Sequence, residues 1–316
     1  MMRQWALLAV ICVIVQTSLG CGPQPTRSLR PTAEPTVALP TAGGAVVLSE
    51  VSDDPVLKHK TYQPLADYLA ARLRDADLGI ATARVKISPD LESAAQLMRS
   101  GELDLYFDSP YPAMIVSSLS GAQPILRRWK GGDAEYSSVL ITRADSGITA
   151  LTDLNGRIIG LENTYSTSGY LLPATYLAIA GLSLHERPDL SAGAEPGAVG
   201  YVFTRDEKNT IQWVLSNRVA AGAIDRRSFL KIPDEGRAEL AVLAETEKVI
   251  RHVVLARPGL DPALLDAIKT ILISMEASPE GQAVLTQFEM TARFDEIPTE
   301  ATLSRMRQLV EMMPRR

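Results

Sequence analysis

The pattern of apolar and polar positions indicates regular alternation of strands and helices along most of this chain. From Ala45 onward, short apolar runs rich in β-branched residues alternate with segments whose apolar residues recur at helical spacing. The apolar residues between Leu65 and Leu73, for example, lie on one face of a predicted helix whose first turn holds Pro64. This alternation predicts an α/β protein built on open sheets.

Two such α/β units follow one another. Strands are predicted at 46–48, 84–87 and 103–107 in the first unit, and at 138–142, 157–161, 199–203 and 219–224 in the second. The apolar run 249–256 is predicted as a single strand that returns to the first unit. We therefore expect two lobes, 45–135 plus 250–316 and 136–249, joined by two crossover segments with a ligand cleft between them.

The first twenty residues differ from the rest. Arg3 precedes an apolar run over 5–15, which is about half the ~20 residues that a membrane-spanning helix needs. Small residues then lead to Cys21. This order is typical of a lipoprotein signal peptide over 1–20, and we expect export and lipid attachment at Cys21, which would anchor the protein to a membrane facing the periplasm or cell exterior.

Residues 21–44 are rich in proline and threonine and hold almost nothing apolar enough to nucleate a core. We interpret them as a tether. The second cysteine, Cys12, lies in the predicted signal peptide, so no disulfide is expected after cleavage. Lys and Arg number 32 against 37 Asp and Glu, a net charge of −5 that makes nucleic acid an improbable partner.

The candidate chemistry lies at 163–170, a polar stretch placed between a predicted strand and a predicted helix. The start of a helix carries unpaired backbone N–H groups and the positive end of the macrodipole, so it attracts anions. Ser166, Thr167 and Ser168 add hydroxyl donors, and Gly169 has no Cβ to keep a ligand away from the backbone. Simple N-capping of the helix is the alternative interpretation.

Five motifs, in this order, resemble the phosphonate-binding family of periplasmic solute-binding proteins over roughly 46–294. They are YQPLADYLAARL from position 62, LMRSGELDLYFDSPYPA from 97, EYSSVLITRADSGITALTDLNGRIIG from 135, STSGYLLPATYLAIAGL from 166 and SPEGQAVLTQF from 278. The Ser-Thr-Ser-Gly-aromatic element is the specific one. The resemblance implies a type II periplasmic-binding-protein fold, an ABC permease as partner and hinge closure around the ligand.

The resemblance also implies site residues. Phosphonate oxygens are expected to contact Ser166, Thr167 and Ser168 together with the helix amides, and the Tyr136 side chain is expected to reach the ligand. The chain departs from the family at Asp108, which places a carboxylate near the cleft. Such a group could accept a hydrogen bond from a protonated ligand oxygen or meet an amine, or be a solvated loop residue.

Further candidates for the cleft walls are less specific. Ser109, Tyr111, Tyr165, Asp206, Asp225 and His252 all follow predicted strands or lie in the return segment. For each of them a structural or surface role is the alternative. Compared with the aminophosphonate binders of the family it resembles, the chain lacks a histidine near 205–207 and has Leu91 at a tyrosine position, which argues against 2-aminoethylphosphonate as the ligand.

The sequence contains no recognisable catalytic or metal-binding motif. The three histidines lack metal-ligand spacing, and P-loop, Gly-x-Ser-x-Gly and Cys-x-x-Cys motifs are missing. We expect a non-enzymatic, monomeric binding protein without metal or cofactor, which takes a small phosphorus oxyanion for an ABC importer. Two rivals remain: a sensory or scaffold lipoprotein with the same fold, and an enzyme built on it.

Overall fold

The computed structural model describes residues 44–313. Within this range the strands are β1 Ala45–Ser49, β2 Thr82–Val85, β3 Leu105–Asp108, β4 Gln123–Arg128, β5 Glu135–Tyr136, β6 Ser138–Arg143, β7 Ile158–Leu161, β8 Leu184–Glu186, β9 Val199–Phe203, β10 Ala221–Asp225, β11 Leu240–Glu245, β12 Val249–Ile250, β13 His252–Ala256 and β14 Phe294–Asp295.

The α-helices of the same range are α1 Pro55–Asp75, α2 Leu91–Ser100, α3 Pro110–Ser120, α4 Leu172–Ile179, α5 Glu207–Leu215, α6 Arg226–Leu230, α7 Asp234–Ala238, α8 Pro262–Ser274, α9 Pro279–Gln287 and α10 Glu300–Glu311. Short 3₁₀ turns cover Lys130–Gly132, Leu151–Leu154, Leu190–Ala192 and Met275–Ala277, and a π-turn over Thr167–Leu171 precedes α4. No helix of the described part is long and apolar enough to cross a bilayer.

Two six-stranded mixed sheets form the framework. The first sheet has the order β14-β4-β13-β3-β1-β2, and the second has the order β11-β6-β10-β7-β9-β8. In each sheet the strands of the α/β unit run parallel, while β13 in the first sheet and β6 in the second pair antiparallel with their neighbours. We call each sheet with its helices a lobe.

Helices cover both faces of each sheet, and this explains the continuous apolar runs of the strands. Val46 and Leu48 of β1 pack with α1, α8 and α9, whereas Val47 points to the opposite face, toward α2 and α3. Around Tyr62 and Phe107, aromatic rings meet edge to face. The carboxyl ends of the parallel strands therefore stay open, and they hold the loops that form the site.

A short two-stranded ribbon connects the lobes. β5 and β12 pair antiparallel, with Tyr136 opposite Val249 and Glu135 opposite Ile250. The predicted single strand over 249–256 is thus wrong: the chain pairs with the connecting ribbon as β12, breaks at Arg251, and joins the first sheet as β13. The sequence suggests one strand because both β12 and β13 are buried, so apolar residues stand on either side of the break.

Two other helices differ from the sequence prediction. α1 begins at Pro55, where Asp54 accepts a hydrogen bond from the Leu57 amide, so Pro64 lies inside the helix and not in its first turn. α3 was not predicted, because its apolar residues lack a polar face and two prolines stand in its first turn. Asp90 caps α2 as its position before that helix suggests.

The predicted signal peptide over 1–20, the lipidation site Cys21 and residues 21–43 of the predicted tether lie outside the described residues.

Candidate functional site

A cavity of about 420 Å³ lies between the lobes, at the carboxyl ends of their strands. Both lobes and the connecting ribbon contribute side chains to it. The residues that line it are Glu50, Val51, Ser52, Asp53, Leu91, Asp108, Ser109, Pro112, Lys130, Tyr136, Glu162, Asn163, Tyr165, Ser166, Thr167, Ser168, Glu207, Asp225, Arg251 and His252.

Ser166 starts the turn that enters the cavity from the second lobe. Its hydroxyl oxygen accepts a hydrogen bond from the Gly169 amide at 2.9 Å, as a helix-capping serine does. The same hydroxyl donates its proton to the carboxylate of Glu162 at 2.6 Å. In this arrangement the only proton of the Ser166 hydroxyl is already committed to a protein acceptor.

Thr167 connects the two lobes. Its hydroxyl accepts a hydrogen bond from the Tyr111 amide at 2.9 Å and donates one to the Ser109 hydroxyl at 2.9 Å. Ser109 and Tyr111 belong to the start of α3 on the first lobe. Thr167 therefore bridges the closed cleft, and the proton of Ser109 remains available to a ligand in the cavity.

Ser168 is the hydroxyl of this turn that is most available to a ligand. It is buried and lines the cavity. Unlike those of Ser166 and Thr167, its side chain has no hydrogen-bond partner within residues 44–313. The first amides of a helix also lack partners within the helix, so the turn offers N–H and O–H donors on one side of the cavity.

Gly169 contacts protein and not the cavity. A Cβ built on Gly169 would meet the Cβ of Glu162 and would lie 2.6 Å from its Oε2. The predicted reason for this glycine, close approach of a ligand, is therefore replaced by close approach of the Glu162 side chain.

Asp108 faces the cavity from the end of β3. Its carboxylate accepts hydrogen bonds from the Tyr106 hydroxyl at 2.6 Å and from the Ser109 amide at 2.7 Å. Burial and, second, the carboxylate of Glu50 raise the pKa of Asp108 to about 7. This carboxylate, expected near the cleft, lies in the cavity wall.

Glu162 is a second carboxylate in the wall, one that was not predicted from the sequence. It follows β7 directly and lies beneath the Ser166 turn. Burial raises the pKa of Glu162 to about 7, a rise that the Ser166 hydrogen bond opposes and the Glu207 carboxylate reinforces. Glu162 could have been predicted from its position at the carboxyl end of a parallel strand, four residues before Ser166.

Two cations of the wall were also missed. Arg251, at the break between β12 and β13, forms an ion pair with Asp225 and stands over the Tyr136 ring, 4.4 Å from its centroid. Lys130 forms an ion pair with Glu289 at 3.2 Å. Both were hard to find because one lies within an apolar run and the other in a glycine-rich turn.

The family assignment follows from most of the chain. Residues 51–301 match the family model described as ABC transporter, phosphonate, periplasmic substrate-binding protein. The chain belongs to this phosphonate-binding family. The family groups substrate-binding proteins, not enzymes, and its members are extracytoplasmic.

Two curated relatives share sequence with this family member. The phosphate-import protein PhnD of Mycolicibacterium smegmatis is 26% identical over 192 residues, 58% of this chain and 58% of that protein. The tetrathionate sensor histidine kinase TtrS of Salmonella typhimurium is 25% identical over 226 residues, 69% of this chain and 37% of that protein. The chain thus matches less than two thirds of the length of either relative.

Solved structures share the fold. XAC2383 from Xanthomonas citri was solved bound to chloride and bound to ATP. The chloride-bound structure is 26% identical, with a TM-score of 0.80 over 85% of this chain and 98% of that one. The ATP-bound structure is 25% identical, with a TM-score of 0.79 over 85% of this chain and 97% of that one. PhnD1 from Prochlorococcus marinus in complex with methylphosphonate has a TM-score of 0.62 at 17% identity, over 85% of this chain and 97% of that one. The fold is the type II periplasmic-binding-protein fold, with two α/β lobes and a cleft between them.

The remaining predicted residues of this family member fall into two groups. Tyr136, Tyr165, Asp225 and His252 line the cavity. Burial lowers the pKa of His252 well below its usual value, which keeps the imidazole neutral, and its Nδ1 has no hydrogen-bond partner in the described part of the chain. Tyr111 and Asp206 do not line it: the Tyr111 ring packs near Tyr170, and Asp206 caps α5 through the Asn209 amide.

The described residues contain no group of three or more His, Cys, Asp or Glu side chains arranged to hold a metal ion.

Proposed function

We propose that this protein is an exported solute-binding protein that captures a small phosphorus oxyanion, of the phosphonate, phosphite or phosphate type, for an ABC importer. The observation that carries the proposal is the Ser166–Ser168 turn, which lines the cleft between the lobes in a member of the phosphonate-binding family. Ser168 and Ser109 supply free hydroxyl protons from opposite lobes, so a ligand gains donors from both sides when the lobes close.

Several properties of the relatives support this ligand class. One curated relative is a phosphate-import protein, and one solved structure with this fold holds methylphosphonate. XAC2383 was solved with ATP, a larger molecule that also ends in phosphoryl oxygens. A ligand panel for this protein should therefore run from phosphite through methylphosphonate and phosphate to ATP.

We also propose that the lobes correspond to 45–135 plus 250–316 and 136–249, that Cys21 carries a lipid anchor behind a tether over 21–44, and that the protein acts as a monomer. Intact mass of the membrane-extracted protein would test the anchor: diacylglycerol on Cys21 adds a defined mass, and Cys21→Ser should remove it together with membrane association. An unlipidated mature protein would contradict this part of the proposal.

Replacement of Ser168 by alanine tests the oxyanion site. The Ser168→Ala variant should bind methylphosphonate or phosphate about tenfold or more weakly by calorimetry, because a hydrogen bond to a charged group contributes roughly 1.5–3 kcal/mol. Its unfolding free energy should hardly change, since the hydroxyl has no protein partner in the described structure. Ser304→Ala in α10, at a position that does not line the cavity, is the matched control. Unchanged affinity in Ser168→Ala would remove the site assignment.

A second candidate function is sensing. The chain aligns over 69% of its length with a tetrathionate sensor histidine kinase, and this likeness supports the second candidate. Two measurements separate the candidates: uptake of radiolabelled ligand by cells lacking the gene, and thermal stabilisation by tetrathionate. Lost uptake supports transport, whereas stabilisation by tetrathionate alone, with uptake intact, supports sensing.

A further inference from the structure

The cavity wall carries an excess of carboxylates that an anion-binding site has to accommodate. Six carboxylates line it, against the cations Lys130 and Arg251. Two of the six, Glu50 and Asp225, are neutralised by ion pairs with Lys58 and Arg251. A bare oxyanion would be repelled by those that remain unless protons intervene.

Two other carboxylates of the wall, Glu207 and Asp53, are satisfied by protein donors or by solvent without a ligand. Glu207 accepts hydrogen bonds from the Asp225 amide at 2.7 Å and from the Ser228 hydroxyl at 2.5 Å, one on each carboxylate oxygen. Asp53 is exposed to solvent at the rim. Asp108 and Glu162 are left: they face the cavity from opposite lobes, and neither forms an ion pair within 4 Å among residues 44–313.

Asp108 has acceptor capacity that protein donors do not fill. Each of its oxygens receives one hydrogen bond, from Tyr106 or from the Ser109 amide, while a carboxylate oxygen can accept two. Ser109, whose hydroxyl proton is free, is its neighbour in the wall. The pair therefore presents an acceptor and a donor side by side, which matches a ligand P–OH next to a P–O⁻.

The protonation state of Glu162 determines whether the Ser166 hydroxyl can donate a hydrogen bond to a ligand. When Glu162 is ionised, the Ser166 proton points at it, and the cavity receives only a serine lone pair. When Glu162 is protonated, the carboxyl can donate to Ser166 instead. The serine oxygen then accepts from both Glu162 and the Gly169 amide, and its own proton is free to turn to the ligand.

We infer that the cleft is selective for oxyanions that bind together with acidic protons, such as hydrogenphosphonate, hydrogenphosphite or dihydrogenphosphate, and that it discriminates against sulfate. One proton is shared between a ligand oxygen and Asp108, and a second resides on Glu162, where it reorients Ser166. This inference rests on the proposed function and specifies the ligand's chemical class.

The charged groups around both carboxylates are consistent with this proton binding. Glu50, Tyr106 and Lys130 face Asp108, and of these only Lys130 is a cation. Glu207, Asp206 and Asp225 face Glu162, and all three are acidic side chains that raise its pKa. With burial as the largest cause, both carboxyls have a pKa of about 7, so each accepts a proton near neutral pH at little energetic cost.

Calorimetry of the full mature protein from pH 6 to 8.5, in buffers of different ionisation enthalpy, tests the inference. We expect methylphosphonate to bind with net proton uptake and its affinity to fall by up to about tenfold per pH unit, for each proton, above pH 7. Sulfate, which carries no proton in this range, should bind about a hundredfold more weakly at pH 7.5.

Two amide variants separate the roles. Asp108→Asn supplies an N–H donor in place of the acceptor, so the ratio of sulfate to methylphosphonate affinity should rise at least about tenfold. Glu162→Gln should remove one proton from the measured uptake, because its amide can donate to Ser166 at every pH. The controls are Asp90→Asn, which keeps the cap of α2, and Glu195→Gln on the exposed face of the second lobe.

The outcomes are distinguishable from failure of the proposed function. Absence of oxyanion binding at every pH would overturn the proposed function itself. Tight methylphosphonate binding without proton uptake, or equal affinity for sulfate, would overturn the inference alone. Strong preference for an aminoalkylphosphonate without proton uptake would also overturn it, since an ammonium group would then neutralise the carboxylates.

Discussion

Ser166, Thr167 and Ser168 are adjacent along the chain but have different roles. Ser166 caps the turn and binds Glu162, Thr167 bridges to the first lobe, and Ser168 faces the cavity without a protein partner in the described structure. A hydroxyl that already donates to a carboxylate cannot donate to an anion at the same time. Affinity for an oxyanion should therefore depend on Ser168 most directly.

Gly169 gives a residue-scale prediction about stability. Gly169→Ala places a methyl group against Glu162, so the turn must shift, and we expect destabilisation of about 1–3 kcal/mol by urea denaturation. The control is Gly236→Ala in α7, where the new Cβ would meet ordinary van der Waals contact at 3.4 Å and alanine favours the helix. If Gly169→Ala is as stable as the control variant, the close contact with Glu162 does not require glycine at this position.

The turn could be predicted from the sequence, but the hydrogen-bond partners of its side chains could not. The Ser-Thr-Ser-Gly element could be recognised from its residues and its position after a strand. Its partners could not, because Glu162 precedes the element with no distinctive pattern, while Ser109 and the Tyr111 amide come from the other lobe. Arg251 and Lys130 were missed because a single charged residue forms no sequence pattern, and only the fold places these two side chains in the cavity wall.

At the scale of elements, the ribbon of β5 and β12 is a short connection between the lobes, with two residue pairs. Other contacts also join the lobes, and one of them is the hydrogen bond from Thr167 to Ser109. In another, Arg227 of α6 donates to the Gly131 carbonyl and pairs with Asp133 at 3.1 Å, in a turn that the Glu289 carbonyl holds to the first lobe.

Loss of the Arg227 contacts should favour the open form. For Arg227→Ala we expect ligand dissociation about two- to fivefold faster by stopped-flow, with little change in association, because a partly exposed ion pair contributes up to about 1 kcal/mol. Arg237→Ala, which removes an ion pair within the second lobe, is the control. Equal dissociation rates in the two variants would mean that Arg227 does not stabilise closure.

Strand prediction was most accurate for the buried apolar strands. In the second sheet, β6, β7, β9 and β10 were identified from short apolar runs, whereas β8 and β11 were not predicted. The break at Arg251 and the helix α3 were not identified. The buried apolar residues on both sides of Arg251 and His252 resemble one continuous strand, and α3 has no polar face.

For the whole molecule, the two cleft carboxyls make stability depend on pH. Between about pH 4.5 and 7 the folded protein retains protons on Asp108 and Glu162 that the unfolded chain has released, so each makes the unfolding free energy fall as pH rises. The slope is at most about 1.4 kcal/mol per pH unit for each group. Neutral His252 acts in the opposite sense, since its lowered pKa makes the fold lose stability as pH falls.

A comparison of variants isolates this effect. Relative to wild type, the ligand-free Asp108→Asn/Glu162→Gln protein should become more stable as pH rises from 5 to 7, by urea denaturation at several pH values. The contribution of His252 cancels in this difference. A difference that stays constant with pH would show that neither carboxyl is protonated in the fold near neutrality.

The central claim is that a phosphorus oxyanion occupies the cleft between the lobes, against the turn that holds Ser168. A crystal structure of the protein grown with methylphosphonate at pH 6.5 tests it most directly. We expect a phosphonate oxygen about 3 Å from Ser168 Oγ, a second near Asp108, and the lobes closed around the ligand. Ligand density outside this cavity, or a filled cavity with no contact to Ser168, would contradict the account.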